Sequence, residues 1–232
     1  MKLVIISDTH CKHREVKFPP LLEEDRFNKP ILVHCGDFSY RGTQAEVLNF
    51  LDWIAEIEDQ FSSVIILEGN HDADFCYGQK NLYLAEMKGR TKKAISLWAE
   101  TYEKRKTISV GPKNLKFFGF PFVPFFTDVN EFFLQRGTHD LLVNNILPCD
   151  VLISHGPPFG IMDLGGRRLE KLGSLALEKK ILEIKPKLVA FGHIHEGFKE
   201  EPMLINDILY VNAAQCNYPE YDLTGKPVVV EL

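Results

Sequence analysis

Short apolar runs rich in β-branched residues alternate along this chain with longer amphipathic stretches. The alternation is typical of strands joined by crossover helices, and it predicts an α/β layered fold. Strands are predicted at 2–7, 30–34, 63–67, 115–118, 150–154, 188–191, 208–212 and 228–232. We find no repeat, low-complexity tract or linker that divides the sequence, so we expect a single domain spanning 1–232.

The first predicted helix has a well-marked start. Thr43 and Glu46 are spaced as a capping box, and apolar residues follow at helical spacing. Further helices are predicted at 93–104, at about 129–146, and at 175–184, where Pro186 would stop the last one.

Composition restricts the class of protein. The 232 residues are 45% hydrophobic and 25% charged, as in ordinary globular proteins, and the net charge of −5 disfavours general nucleic-acid binding. The longest aromatic stretch, 117–126, is interrupted by Gly and Pro and falls short of the roughly 20 apolar residues of a membrane helix. The first residues lack the features of a signal peptide, so we expect a cytoplasmic protein with reduced cysteines.

Almost every predicted strand leads into a loop that begins with Asp, Asn or His. These loops are Asp8-Thr9-His10, Gly36-Asp37, Gly69-Asn70-His71-Asp72, His155-Gly156 and Gly192-His193-Ile194-His195. In open α/β sheets the loops beyond the carboxyl ends of the strands form the binding crevice. Five chain segments are therefore expected to bring oxygen and nitrogen ligands to one rim, which predicts a metal centre.

The residue types suit two divalent ions. First-row metals bind imidazole nitrogen and carboxylate oxygen, and two ions roughly 3.5–4 Å apart need a carboxylate that they share. We assign Asp8, His10 and His195 to the first ion, Asn70, His155 and His193 to the second, and Asp37 to both as the bridging ligand. Residues two apart on extended backbone project to the same side, which would direct both members of D-x-H and H-x-H into the site.

Each fragment taken alone is more often a helix cap or a turn. Among the other histidines, we expect His34 to pack at a strand end and His139 to lie on a solvated helix face. His13 is open to two interpretations, a structural role or contact with substrate through its place in the first metal loop. The ordered set at five strand ends favours the metal centre over five separate turns.

The ordered motifs D-x-H, G-D, G-N-H-D, a lone H and G-H-x-H resemble those of the calcineurin-like metallophosphoesterase superfamily, and they span 8–195. Segments 33–38, 155–160, 185–197 and 210–214 resemble a narrower branch, the metallophosphoesterase-domain-containing proteins of animal brain and their microbial relatives. The resemblance implies a four-layered α/β/β/α sandwich with a dimetal site at its centre. It also implies manganese, iron, zinc or nickel as the ions, with manganese expected in vitro.

Two such ions would hold a bridging hydroxide for in-line attack on phosphorus. His71 is not needed for coordination, and we expect it to protonate the leaving alkoxide, as its counterpart does in related enzymes. Asp72 has two open roles, orienting the ring of His71 or capping the next turn.

The resemblance suggests small phosphodiesters such as cyclic nucleotides as substrates. Rings of segment 118–126 could stack on a base or belong to the core, and Arg167 and Arg168 could contact phosphate or be solvated loop charges. No membrane partner is expected, and the oligomeric state is left open.

Three alternatives remain. The first is a phosphomonoesterase or protein phosphatase, although the longer G-D-x-V-D-R-G signature of protein phosphatases is absent after Gly36-Asp37. The others are a weakly catalytic nucleotide-binding protein and a scaffold of the same fold, such as the retromer subunit that resembles this superfamily. A complete ligand set together with His71 favours the enzyme.

Overall fold

The computed structural model describes residues 1–20, 28–124, 133–166, 169–196 and 201–232. The strands are β1 Lys2–Ile6, β2 Ile31–His34, β3 Ser63–Ile66, β4 Ala94–Ser96, β5 Ile108–Val110, β6 Leu115–Phe120, β7 Val123–Pro124, β8 Phe133–Leu134, β9 Val151–Ser154, β10 Leu164–Gly165, β11 Glu170–Lys171, β12 Leu188–Phe191, β13 Met203–Ile205, β14 Ile208–Asn212 and β15 Val228–Glu231. The α-helices are α1 Gln44–Ile57, α2 Ala73–Cys76, α3 Lys80–Arg90, α4 Arg136–Val143 and α5 Leu175–Ile184, and a π-helical segment covers Trp98–Glu103.

Two mixed sheets form the centre of the fold. The first has the order β15-β1-β2-β3-β4, in which β1 to β4 are parallel and β15 is antiparallel to β1. The second has the order β13-β14-β12-β9-β6-β5, in which β14, β12, β9 and β6 are parallel and the outer strands are antiparallel. The parallel strands of each sheet therefore end at a common edge, where their loops can meet.

Alternation along β1 shows how the layers stack. Leu3 and Ile5 lie in a core with residues of the second sheet, whereas Val4 and Ile6 lie in a separate core beneath α1. Successive side chains of a strand point to opposite faces, so the first sheet is covered by the second sheet on one face and by helices on the other. Leu177 and Ile181 of α5 pack with the second sheet. These layers confirm the predicted α/β/β/α sandwich.

The two best-marked helices form where the sequence predicts them. Thr43 accepts a hydrogen bond from the amide of Glu46, and Glu46 accepts one from the amide of Thr43, so the capping box is complete at the start of α1. Helix α5 covers the predicted range and begins at Ser174, whose hydroxyl accepts from the amide of Leu177. Each such cap contributes on the order of 1 kcal/mol.

The helix predicted at 93–104 is wrong in its first half. Ala94–Ser96 instead pairs with β3 as a parallel edge strand, and only Trp98–Glu103 is helical. Pairing with an exposed sheet edge outweighs a local helical pattern at this position. Helix α4 is shorter than predicted, and 129–132 lie outside the described residues.

Helix α3 was not predicted from the sequence. Its N-cap residue, Gln79, is not one of the usual capping residues and makes no side-chain capping bond, so the sequence does not mark where the helix begins. Within the described residues, none of the helices combines the length and the apolar character that crossing a membrane requires.

Candidate metal centre

Loops from both sheets meet where the parallel strands end. Asp8 and His10 follow β1, Asp37 follows β2, and Asn70 and His71 follow β3, whereas His155 follows β9 and His193 and His195 follow β12. The loops are joined by hydrogen bonds between the sheets, since the amide of His193 donates to the carboxylate of Asp8 at 3.0 Å. All the predicted ligands thus come from the carboxyl ends of four strands and the turn after a fifth.

The backbone at these loops is left-handed rather than extended. Asp8, His10, Asp37 and His193 have φ angles of 52°, 38°, 57° and 66°. The prediction that the D-x-H and H-x-H pairs lie on extended backbone is therefore wrong. Such conformations are unfavourable for residues with a Cβ, and here interloop bonds hold them, including Asp8 N to Gly36 O at 2.9 Å.

The first group of side chains consists of Asp8, His10 and His195. One ligand atom of each lies within 4.8 Å of the others. His195 Nε2 is 3.3 Å from Asp8 Oδ1 and 3.3 Å from His10 Nε2. All three residues are nearly fully buried. This arrangement could hold one divalent ion.

The second group consists of Asp37, His155 and His193, again with one ligand atom of each within 4.8 Å. His155 Nε2 lies 3.2 Å from Asp37 Oδ2 and 3.0 Å from Asn70 Oδ1. The amide oxygen of Asn70 is therefore next to this group, as the assignment of four ligands requires.

Asp37 belongs to a third group as well, with His10 and His71. Since His10 is also in the first group, Asp37 lies between the two candidate positions. The two members of the H-x-H motif fall in different groups, because His193 is near Asp37 and His195 is near Asp8.

The carboxylates of the centre are ionised. Burial would raise the pKa of Asp37, but His155 and His71 outweigh it and hold the pKa well below its usual range. Burial likewise opposes ionisation of Asp8, but the hydrogen bond and charge of His195 outweigh burial and lower the pKa of Asp8 below its usual value. Two negative charges in a buried site favour a cation there.

The imidazoles divide into two kinds. Burial lowers the pKa of His10 to about 4, and burial together with His155 lowers the pKa of His193 to about 3. Burial also acts against protonation of His155, but Asp37 outweighs it and raises the pKa of His155 to about 9. His10 and His193 are thus neutral, the form that binds metal, and the proton on His155 occupies the place of a cation beside Asp37. The donor set fits divalent metal ions.

The sequence profile of calcineurin-like phosphoesterases matches residues 1–197. The chain belongs to the calcineurin-like phosphoesterase family. Metallophosphoesterase domain-containing protein 1 of Homo sapiens is 27% identical over 248 residues, which cover 100% of this chain and 71% of the human protein. An uncharacterized protein of Methanocaldococcus jannaschii is 28% identical, with 100% of this chain and 96% of that protein covered.

Solved structures share the fold of this phosphoesterase. The crystal structure of the protein TT1561 from Thermus thermophilus superposes with a TM-score of 0.59 at 12% identity, covering 96% of this chain and 90% of that one. Membership of the family makes the protein a metal-dependent phosphoesterase, and its His and Asp groups could hold the metal.

Backbone carbonyls orient three imidazoles of the phosphoesterase. His10 Nδ1 lies 3.1 Å from Ser39 O, His155 Nδ1 lies 2.9 Å from Cys35 O, and His195 Nδ1 lies 3.2 Å from Asn217 O. A carbonyl only accepts, so in each ring Nδ1 carries the proton and Nε2 faces the site. This arrangement is common around metal-binding histidines.

Asp72 caps the turn that carries Asn70 and His71. One carboxylate oxygen accepts from the amides of Asp37 and Gly69, both at 2.9 Å, and the other accepts from the amide and hydroxyl of Ser39. The carboxylate thus holds the preceding turn and makes no capping bond to α2, the next one, so both expected roles, capping of the next turn and orientation of the His71 ring, are wrong. His71 Nδ1 instead lies 2.7 Å from the carbonyl oxygen of Tyr40.

The remaining histidines differ in outcome. His34 is buried at the end of β2, as expected, and its Nε2 is 3.1 Å from Thr9 Oγ1. His13 is buried against Trp53 and bonds to Asn49, which favours its structural interpretation. His139 was expected on a solvated helix face, but it is only 1% exposed because it lies on the inward face of α4 and packs against Phe120.

The aromatic segment after β5 belongs to the core where it is described, since Phe118 and Phe120 are fully buried. Phe125 and Phe126 lie outside the described residues, as do Arg167 and Arg168. Among the cysteines, Cys11 is exposed, and the others, Cys35, Cys76, Cys149 and Cys216, are buried free thiols, as expected.

Two tyrosines next to the centre were not predicted. The ring of Tyr221 lies 4.7 Å from that of His10 and 5.4 Å from that of His195. Tyr40 lies 5.3 Å from Tyr221 and 6.0 Å from His71. Neither residue belongs to a metal-ligand motif, and Tyr221 lies beyond the last of those motifs in the sequence.

Proposed function

We propose that this phosphoesterase hydrolyses small phosphodiesters, with cyclic nucleotides as the first class to test. The observation that supports a dinuclear site is the position of Asp37, which shares one group with His155 and His193 and another with His10. A carboxylate between two candidate positions is what a pair of adjacent ions requires.

The proposed ligands keep the assignment made from the sequence. The first ion is held by Asp8, His10 and His195, the second by Asn70, His155 and His193, and Asp37 is shared. When bound, two divalent ions supply Lewis acidity that activates water and neutralises charge on the phosphoryl group. Manganese is the ion proposed for assays. Metal-dependent hydrolysis of phosphoesters is supported by the relative named metallophosphoesterase domain-containing protein 1.

The chain itself supplies the proton for the leaving group. Because the Tyr40 carbonyl accepts from Nδ1 of His71, the Nε2 atom is left toward the site, and the imidazolium form of the ring can donate its Nε2 proton there. His71 is half-buried and adjoins both His10 and Asp37, so an ester held between the two groups would have its leaving oxygen within reach of this ring. We therefore assign His71 as the general acid.

The experiment combines metal analysis with an activity assay. Purified protein with manganese should release nitrophenol from bis-p-nitrophenyl phosphate, and elemental analysis should give two ions per chain. Asp37→Asn should lose both the bound metal and the release of nitrophenol. The control is Asp207→Asn, because Asp207 is an exposed carboxyl at a left-handed turn position that Asn also adopts. Protein that binds no metal and releases no nitrophenol would contradict the proposal.

A substrate panel then distinguishes diesters from monoesters. Cyclic nucleotides and nucleoside monophosphates are assayed side by side at equal concentration. Faster turnover of the monophosphates would replace the diesterase proposal with a monoesterase, because both reactions use the same metal chemistry.

A further inference from the structure

The segment Asn217–Asp222 forms a closed loop beside the metal centre. The amide of Asn217 donates to the carbonyl of Asp222 at 2.9 Å, and the amide of Asp222 donates to the Asn217 side chain at 2.7 Å. The amide of Tyr221 also donates to the carbonyl of Asn217 at 3.1 Å. These bonds within the loop fix the backbone position of Tyr221.

The same loop is attached to the centre at two further points. Lys12, two residues after His10, forms an ion pair with Asp222 at 2.9 Å. The carbonyl of Asn217 accepts from Nδ1 of His195 at 3.2 Å. The loop is thus held against both the first metal loop and the last one.

Tyr221 has a strained backbone. Its φ angle is 56°, in the left-handed region that bulky residues avoid. Residues kept in such conformations cost on the order of 1–3 kcal/mol and cluster at binding and catalytic sites. In this conformation the ring of Tyr221 lies against that of His10.

The position of His71 indicates which part of a substrate these rings would meet. The general acid must lie beside the leaving oxygen, so the organic group on that oxygen extends past His71. Tyr40 is 6.0 Å and Tyr221 is 6.5 Å from the His71 ring, and the two tyrosine rings are perpendicular at 5.3 Å. Both rings therefore lie on the side toward which the leaving group extends.

We propose that Tyr40 and Tyr221 form an aromatic recess that binds a planar aromatic group on the leaving-group side of the phosphoester. The recess makes the enzyme prefer aryl or nucleobase-bearing esters to simple alkyl esters. This inference rests on the proposed function, since it takes the leaving group to lie beside His71. Offset and edge-to-face contacts with two rings account for a preference that a methyl group cannot obtain.

The test measures binding rather than turnover, with ligands whose C–P bond is not hydrolysed. Phenylphosphonate and methylphosphonate are titrated into manganese-loaded protein by calorimetry. We expect phenylphosphonate to bind about tenfold more tightly, in line with aromatic contacts of this kind. In Tyr221→Ala and in Tyr40→Ala the preference should fall to about twofold or less.

Two further variants identify the ring as the cause. Tyr221→Phe should keep the preference, because it keeps the ring and removes only the hydroxyl. Tyr77→Ala is the matched control, since Tyr77 is 44% exposed against 43% for Tyr40 and packs on Trp98. It should bind both phosphonates as the unmodified protein does. Elemental analysis of every variant verifies that the metals are retained, and if Tyr221→Ala loses them, Tyr40→Ala decides.

The outcomes separate the two proposals. Protein that binds neither phosphonate contradicts the proposed function itself. Equal binding of both phosphonates by the unmodified protein overturns the recess while the proposed function stands. The recess is also overturned if the alanine variants keep the preference, or if Tyr221→Phe loses it as fully as Tyr221→Ala.

Discussion

Nδ1 of His71 donates a hydrogen bond to the carbonyl oxygen of Tyr40, at 2.7 Å. The acceptor belongs to the main chain, so the orientation of the ring does not depend on the side chain at position 40. The same ring lies next to the carboxylate of Asp37. The proposed acid is therefore held by backbone rather than by a carboxylate partner.

Replacement of His71 by alanine should spare the metals and slow the reaction in a way that depends on the leaving group. Alkyl esters need a proton on departure, so their kcat/KM should fall by about 100-fold or more, whereas nitrophenyl esters should lose about tenfold or less. Steady-state assays on both esters check this, with elemental analysis as the control. Equal losses on the two esters would remove His71 as the acid.

Gly192→Ala should disrupt the centre. A Cβ at this position would overlap Oδ2 of Asp8 and the hydroxyl oxygen of Ser7, so the carboxylate must move. We expect loss of bound metal and activity. The control is Gly89→Ala in α3, where a Cβ meets nothing within 4 Å and should stabilise the helix by up to about 1 kcal/mol. Full metal content in Gly192→Ala would contradict this prediction.

Asp72→Asn should destabilise the loops around the centre. The carboxylate accepts from the amides of Asp37, Ser39 and Gly69, and an amide side chain would turn an NH2 group toward some of these donors. The free energy of unfolding should fall by about 1–3 kcal/mol in urea denaturation. Asp74→Asn, at an exposed position of α2, is the control and should change stability by less than about 1 kcal/mol.

Metal binding should release protons. Asp37 outweighs burial and raises the pKa of His155 to about 9, so at pH 7 this ring holds a proton that it must lose to become a ligand. The apparent affinity for manganese should therefore rise as the pH increases from 7 to 9. Calorimetry at pH 7 in two buffers of different ionisation enthalpy measures the release, and identical heats in both buffers would contradict it.

Glu68 should make the metal-free protein less stable as the pH rises. Burial raises the pKa of Glu68 to about 7, although Ser96 and Tyr83 donate hydrogen bonds to it. Between pH 4.5 and 7 the unfolded chain has lost a proton that the folded chain keeps, so stability falls across this window and levels off above it. Urea denaturation at a series of pH values should show this slope reduced in Glu68→Gln.

Sequence patterns predicted the strands near the centre well, because buried parallel strands are continuous apolar runs and their ends carry the motifs. They could not predict that Ala94–Ser96 would pair with β3, since an edge strand is stabilised by a neighbour distant in sequence. The burial of His139 on the inward face of α4 depends on tertiary packing in the same way.

In the candidate site, too, local motifs could be predicted from the sequence and contacts between distant segments could not. The sequence could propose candidate ligands that the fold brings together, because the residue types and spacing of metal ligands are set by coordination chemistry. Tyr221 was missed because its place beside His10 depends on the closure of a loop more than 200 positions later in the chain, and no local motif records it.

Each candidate ion position draws residues from both sheets: Asp8 and His10 face His195, and Asp37 faces His155 and His193. The distance between opposing ligands is therefore set by how the two sheets dock, through contacts such as Gly119 on β6 against Leu97 after β4. A bulky residue at 119 would push the two sheets apart. The distances between candidate ligands on opposite sheets would then increase. We therefore expect that interior substitutions can abolish activity while all seven proposed ligands remain unchanged.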